Sequence, residues 1–182
     1  MIDAFSRPEP LGMIADQPQL VPHDDRWAEL FDRLRVSLTR RLGDRILSVH
    51  HVGSTSVPGL SAKPILDVLI GVQSLAASLE CVPILAELGF EHGPEDDIPD
   101  RHYFRGQRGG LRTHHLSLAE ESSAHFINSL VFRDALRESP ELVRAYETLK
   151  RDLYATRKRK SELHRGKSSF VAQVLRERGG VV

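Results

Sequence analysis

Residues 46–72 constrain the fold more than any other stretch, because two short apolar runs, Ile46 to Val52 and Pro64 to Val72, flank the polar segment Gly-Ser-Thr-Ser-Val-Pro-Gly-Leu-Ser-Ala-Lys. Each run is rich in β-branched residues, bounded by Gly or Pro, and short, so both are predicted as buried strands. The segment between them is then a loop. Within it, Val57-Pro58-Gly59-Leu60 has proline where a type II turn fixes φ and glycine where that turn needs φ positive, which folds the loop back over the strand ends. Small hydroxyl side chains and Lys63 are thereby gathered beside Asp67, a carboxylate within Ile65-Leu-Asp-Val-Leu-Ile. An ionised carboxylate in such a run is costly unless it is paired, hydrogen-bonded or metal-bound at the strand's edge. Neutralisation by Lys63 is the structural reading of Asp67, and a binding site is the functional one.

Around this core the chain divides simply. Residues 1–19 carry Pro8, Pro10 and Pro18 without a lasting period and read as an extended or disordered arm. With 182 residues and 40% apolar content, residues 20–182 are expected to form a single domain with its own core. Trp27, Leu30, Phe31, Leu34, Leu38 and Leu42 fall at helical spacing after Asp24 or Asp25, and Gly43 stops that helix. Ser74 to Leu88 reads as a second helix, bent or split by Pro83 and capped by Gly89. Residues 91–100 form an acidic loop without metal-ligand spacing. The following segment reads as two strands joined at Arg108-Gly109-Gly110, with Leu116 and Leu118 facing the core and His115, Ser117 and Ala119 facing the other way. The rest is helical: Ser122 to Arg137, a helix opened by Ser139-Pro140-Glu141 with Leu142, Tyr146, Leu149 and Leu153 buried, and a last helix starting near Gly166. The basic run Arg157 to Lys160 reads as a solvated helix end suited to the dipole.

Charge excludes some functions. Lys plus Arg and Asp plus Glu each total 25, so no global field draws in nucleic acid or an anionic membrane, and neither is an expected partner. Any anion site must be local. One cysteine, Cys81, forms no intrachain disulfide and suits a reducing compartment. No apolar run spans a bilayer and no signal peptide is visible, so a cytoplasmic protein is expected.

Other motifs are weaker. Gly166-Lys167-Ser168 resembles the end of a P-loop, but Ser161 stands where that motif needs its first glycine. Lys167 at a helix N-terminus would still suit a phosphate, against a plain surface lysine. His50-His51 and His114-His115 invite a zinc reading until strand alternation leaves at most one of each pair for any site. His51 and His115 would converge if their strands are neighbours; hydrogen-bonding histidines are the alternative. Ser54 lies in no nucleophile elbow.

His51-Val-Gly-Ser-Thr-Ser-Val-Pro-Gly-Leu-Ser-Ala-Lys-Pro-Ile-Leu-Asp67 resembles the signature of the GrpB family, a branch of the DNA polymerase beta-like nucleotidyltransferase superfamily. The likeness extends to Trp27, His114-His115-Leu116, Phe132-Arg133-Asp134 with Leu136-Arg137, and Gly166-Lys167-Ser168, covering roughly residues 20 to 178. It implies an α/β (α+β) fold, a nucleotidyltransferase-like mixed sheet flanked by helices with a helical C-terminal part. It further implies that Gly53 and Ser54 hold nucleotide phosphate and that Asp67 holds a metal, Mg²⁺, for which one carboxylate plus substrate phosphates is a minimal anchor. On that basis Gly53, Ser54, Thr55, Ser56, Lys63, Arg112 and Lys167 are the expected phosphate-binding residues, and Asp67, His115 and His51 the expected catalytic ones. The superfamily's paired acids sit two apart on a strand, and here Leu69 fills the partner position. The expected function is binding of a nucleotide or other phosphorylated small molecule, with nucleotidyl transfer to a small molecule. The alternatives are a non-catalytic nucleotide- or CoA-ligand-binding or folding-accessory domain, as in similar domains fused to dephospho-CoA kinases, and a histidine-based phosphohydrolase.

Overall fold

The apolar stripe beginning at Trp27 becomes helix α1, Arg26–Leu42, and Trp27, Leu30, Phe31, Leu34, Leu38 and Leu42 are its buried residues. Asp25 is its N-cap, the Asp24 carboxylate accepts a hydrogen bond from the Arg26 backbone N–H at 3.0 Å, and Gly43 ends it. The structure, a computed structural model, describes residues 11–14, 17, 19–93, 100–155 and 160–181, without the side chains of residues 160–164. Parts of three sequence expectations lie outside the described residues: most of the 1–19 arm, residues 94–99 of the acidic loop, and residues 157–159 of the basic run.

Five strands, β1 (Ser48–Val52), β2 (Leu66–Val72), β3 (Phe90–His92), β4 (His102–Arg108) and β5 (Leu111–Glu120), form one sheet in the order β1-β2-β5-β4-β3. Only β2 and β5 run parallel, so the sheet is mixed. The β4–β5 connection turns at Gly109 and Gly110, both with positive φ (56° and 78°), as a two-residue hairpin of this hand requires. Helices α2 (Cys81–Glu87), α3 (Ala124–Glu138), α4 (Pro140–Ala155) and α5 (Lys160–Arg178) complete the chain. None of the described helices is long and apolar enough to cross a membrane.

Strand alternation sends the two sheet faces to different uses. On one face Leu66, Val68, Ile70, Leu116, Leu118, Phe104 and Phe90 pack with the α1 stripe and with Cys81 and Leu85 of α2 to form the main core. On the other, Val52, Leu69 and Ala119 are covered by Phe126 of α3. A third cluster joins Val57 and Leu60 of the β1–β2 loop to Leu136 and Tyr146, so α3 and α4 anchor that loop. Burying a leucine of this kind contributes about 2 kcal/mol, so the third cluster fixes the loop firmly.

Four details depart from the expectations above. Ile46 and Leu47 lie ahead of β1, where Leu47 is exposed. The predicted helix at Ser74 to Leu88 is split, but ahead of Pro83: a 3₁₀ turn at Ala77–Glu80 precedes α2, placing Pro83 in the first turn, where its missing N–H does no harm. Phe90–His92 adds a short strand that its length hid. Finally, α5 begins at Lys160, well before Gly166. Within the N-terminal segment, Met13 is buried and exchanges backbone hydrogen bonds of 3.0 and 2.9 Å with Arg112.

Candidate functional site

Asp67 is the second residue of β2, opposite Val52 of β1 and in register with His115 of β5. Residues in register share a face, so Asp67 and His115 stand side by side, and His115 Nδ1 lies 3.1 Å from Asp67 Oδ1. The carboxylate is 40% exposed. The other imidazole nitrogen, His115 Nε2, is buried without a hydrogen-bond partner among the described residues. A carboxylate on one nitrogen and an open second nitrogen is the arrangement that orients an imidazole to accept a proton. The flanking wall is polar: the Tyr103 ring is tilted against His115 with centroids 5.6 Å apart, and Ser117 accepts a hydrogen bond from Arg101 at 3.1 Å.

The β1–β2 loop comes down directly on Asp67. Gly53 has φ 68°, and a Cβ there would collide with the Asp67 carboxylate, so both conformation and space demand glycine. A 3₁₀ turn, Ser54–Ser56, follows. Its hydroxyls divide. Ser56 Oγ donates to the Gly53 carbonyl at 2.6 Å, and Thr55 Oγ1 lies 3.0 Å from His51 Nε2, so these two buried side chains hold the loop rather than present themselves outward. Ser54 Oγ instead accepts a hydrogen bond from Lys150 Nζ at 3.0 Å. Two arginines of α3 brace the loop's flanks: Arg133 donates to the His51 carbonyl at 3.2 Å and Arg137 to the Ser56 carbonyl at 2.9 Å. Asp134 pairs with Arg133 at 2.7 and 2.9 Å.

Sequence reasoning misses Lys150. It projects from α4, is buried, donates to the Ser61 carbonyl as well as to Ser54, and lies 5.3 Å from the Tyr146 ring centroid. Burial pushes its pKa down to about 8, with Glu147 and Asp67 opposing and Lys167 assisting the shift. Lys167, on α5, is also pushed down by burial, opposed by Asp67. Tyr154 is raised to about 12 by burial, with Asp67 adding to the effect, and Lys63 Nζ lies 6.0 Å from its ring centroid. Burial and the Asp67 charge also raise Tyr146. A signal for Lys150 does exist: it lies four residues after Tyr146 and three before Leu153, inside the apolar stripe of α4.

Two expected residues stand elsewhere, and a third arrives by another route. His51 pairs with Val68, which puts it on the α1 face, away from Asp67; β2 lies between β1 and β5, so His51 and His115 do not converge. It stacks on Phe31 at 4.7 Å, and burial holds its pKa down to about 4, leaving it neutral. Arg112 is tied to Met13 through its backbone and pairs with Gln107 past a register shift in β4–β5, before the point where β2 begins to pair with β5, so it stands toward the hairpin end and away from Asp67. Lys167 does reach the site, but from inside α5, so the free amides of a helix N-terminus are not beside it. Gly166 serves packing, since a Cβ there would press on Leu153 of α4. Beyond the outer edge of β1, a separate cleft of about 300 Å³ is lined by Phe31, Asp32, His50, Arg133 and Arg137.

The sequence profile described as GrpB protein matches residues 17–177. The chain belongs to the GrpB family. It is 37% identical over 138 residues to the UPF0157 protein YqkA of Bacillus subtilis, an alignment covering 75% of this chain and 40% of YqkA, so the chain spans well under half the length of that relative. The crystal structure of the conserved protein GrpB from Enterococcus faecalis superposes with a TM-score of 0.78 and 29% identity, over 87% of this chain and 96% of that one. The Cid1 poly(U) polymerase with MgGTP bound overlaps more distantly, with a TM-score of 0.45 and 18% identity over 67% of this chain and 41% of that one.

The GrpB donor set can be tested against a divalent cation. Mg²⁺ takes hard oxygen ligands in octahedral geometry and is held by carboxylates together with waters and substrate phosphates. Here Asp67 Oδ1 faces His115, the same-face neighbour Leu69 is buried and apolar, and Ser117 occupies the matching place on β5. No group of three or more His, Cys, Asp or Glu side chains among the described residues is arranged to hold a metal. With buried Lys150 and half-buried Lys167 in electrostatic range of Asp67, the described residues fit an anion better than a resident Mg²⁺.

Proposed function

We propose that the chain binds a nucleotide or another phosphorylated small molecule at the Gly53–Ser54 turn. The observation that carries this reading is Lys150 of α4, buried and hydrogen-bonded to Ser54 beside Asp67, with Lys167 of α5 in electrostatic range of both. A buried ammonium is costly unless paired, and Asp67, with a Glu147 already engaged by Arg151, answers Lys150 and Lys167 incompletely. A phosphate group supplies the missing negative charge. Gly53 lets backbone approach the ligand, Ser54 contributes a hydroxyl, and Lys63 stands at the rim beside Tyr154. Ligand that binds only the native state raises the melting temperature by mass action. Thermal-shift and calorimetric titrations with nucleoside triphosphates, CoA derivatives and inorganic pyrophosphate are expected to show stabilisation, with plain nucleosides giving none. Failure of every phosphorylated compound to stabilise or titrate the protein refutes the reading.

A second reading, nucleotidyl transfer to a small-molecule hydroxyl, is favoured by the His115 geometry. With Nδ1 held by Asp67, the buried Nε2, unpartnered among the described residues, would accept the proton of an acceptor hydroxyl that enters beside it. Incubation of pure protein with a nucleoside triphosphate and candidate acceptors tests it: release of pyrophosphate that His115→Gln abolishes supports transfer. Binding without turnover across the acceptors leaves a ligand-binding domain, the reading that Leu69 and Ser117 favour.

A further inference from the structure

Resting on that phosphorylated-ligand reading, we propose that the site recognises its phosphate groups directly, with the ammonium groups of Lys150 and Lys167 in the place a divalent cation would otherwise take. Three observations on separate elements lead there. On β2 the acidic partner of Asp67 is missing, and its place is filled by Leu69, 1% exposed and packed under Phe126. On β5 the residues facing Asp67 and Leu69 are His115 and Ser117, so no second carboxylate enters from that strand. From α4, a lysine only 3% exposed reaches Ser54, the residue after the glycine that touches Asp67. A second lysine, Lys167, follows Gly166, where α5 packs closely on Leu153 of α4, and has Asp67 in electrostatic range.

Charge gives this arrangement its sign. Among the groups that act on Lys150, Asp67 and Glu147 contribute two negative charges and Lys150, Lys167 and Arg151 three positive, so a divalent cation would add to an existing excess. A di- or triphosphate reverses that excess. Each of its oxygens can accept from an ammonium, which has three donors that rotate to suit. Lys150 is already oriented by the Ser61 carbonyl and Ser54 Oγ, leaving one N–H to offer. The role of Asp67 is inverted with it. Beside a metal, a carboxylate attracts the phosphate through the ion; beside bare phosphate, it repels it and instead tempers the two lysines while the ligand is absent.

The distinguishing experiment is isothermal titration of ATP and of inorganic tripolyphosphate into the full chain, once in EDTA and once with excess Mg²⁺. Direct recognition predicts binding in EDTA at least as tight as with Mg²⁺. It also predicts that Asp67→Asn tightens binding in EDTA, by about threefold to tenfold. Lys150→Gln and Lys167→Gln should each weaken it by at least about tenfold. The two lysine variants stand on different helices, and melting curves for both show whether either loses its fold. Binding that needs Mg²⁺ and that Asp67→Asn abolishes overturns direct recognition while leaving the phosphorylated-ligand reading intact. Absence of binding under both conditions overturns the two together.

Discussion

The two faces of the sheet handle ionisable side chains in opposite ways. Under α1, His51 and His114 are buried and held neutral, each with its pKa lowered to about 4 by burial. Their hydrogen bonds are local, to Thr55 at 3.0 Å and Thr113 at 2.9 Å, and their rings pack against Phe31 and Phe90. On the other face Asp67 and His115 are partly exposed, joined to each other, and within reach of two lysines. The histidines of the first face therefore act as core residues with one polar end, while the second face keeps charge where a ligand can reach it. Adjacent residues, His114 and His115, fall on opposite sides of this division.

The contrast can be broken first where it is widest. Leu116→Ala removes a fully buried side chain from the α1 face and should cost about 3–5 kcal/mol. The neighbouring His115→Ala should cost under about 1 kcal/mol, since its side chain is partly exposed. Urea unfolding of the two variants measures the difference. Equal losses would show that the faces are not distinct in this way.

Acid provides the next test. A histidine whose folded pKa lies near 4 and whose unfolded value is 6.5 is protonated in the unfolded chain first. Between those values the unfolded state binds more protons, so stability rises with pH there and is lost as pH falls from 6.5 toward 4. His51→Gln should flatten part of that slope in urea midpoints measured across the window.

Gly53→Ala and Gly109→Ala compare two turns with positive φ, 68° and 56°. Both carry the left-handed backbone penalty of about 1–2 kcal/mol. Only the Gly53 methyl also meets the Asp67 carboxylate, so Gly53→Ala should cost more and weaken phosphate binding, while Gly109→Ala, with nothing nearby, should leave binding unchanged. Paired denaturation and titration curves report both effects.

The smallest expected effect has the opposite sign. Lys150→Met replaces a buried ammonium with an apolar chain of similar length and should leave stability unchanged or raise it by up to about 1 kcal/mol, while phosphate affinity falls. In the parent protein, Lys150 loses its proton in the folded state near pH 8, whereas the unfolded side chain keeps it to about 10.5. Stability from this group therefore rises between those values, and anion affinity declines through pH 8 in the setting of Glu147, Asp67, Lys167 and Arg151. Calorimetric titrations on either side of pH 8 follow the decline.

Much of this is readable in residue order, because strands and helices announce themselves by periods of two and 3.6. The α1 stripe, the turn at Gly109-Gly110 and the outward side of His115 follow from spacing alone. Strand order and register do not, being set by long-range pairing, and the register decides that His115 rather than His51 meets Asp67. Lys150 arrives from a helix far along the chain, and its charge disguises it as a surface residue within a buried stripe. The Gly166-Lys-Ser-Ser segment has the composition of a helix start, yet the glycine is there for a neighbour, and local propensity yields to packing. Phe90–His92 is too short to show any period.

That glycine matters beyond its own helix. Because Gly166 leaves room for Leu153, it sets how near α5 lies to α4, and Lys167 and Lys150 ride on those two helices one and three residues from the point of contact. The two ammonium groups form the jaws of a caliper whose opening is fixed by an absent methyl. Adding that methyl would reset the gap without touching either lysine and, on the proposed reading, would change the length of anion that binds between them.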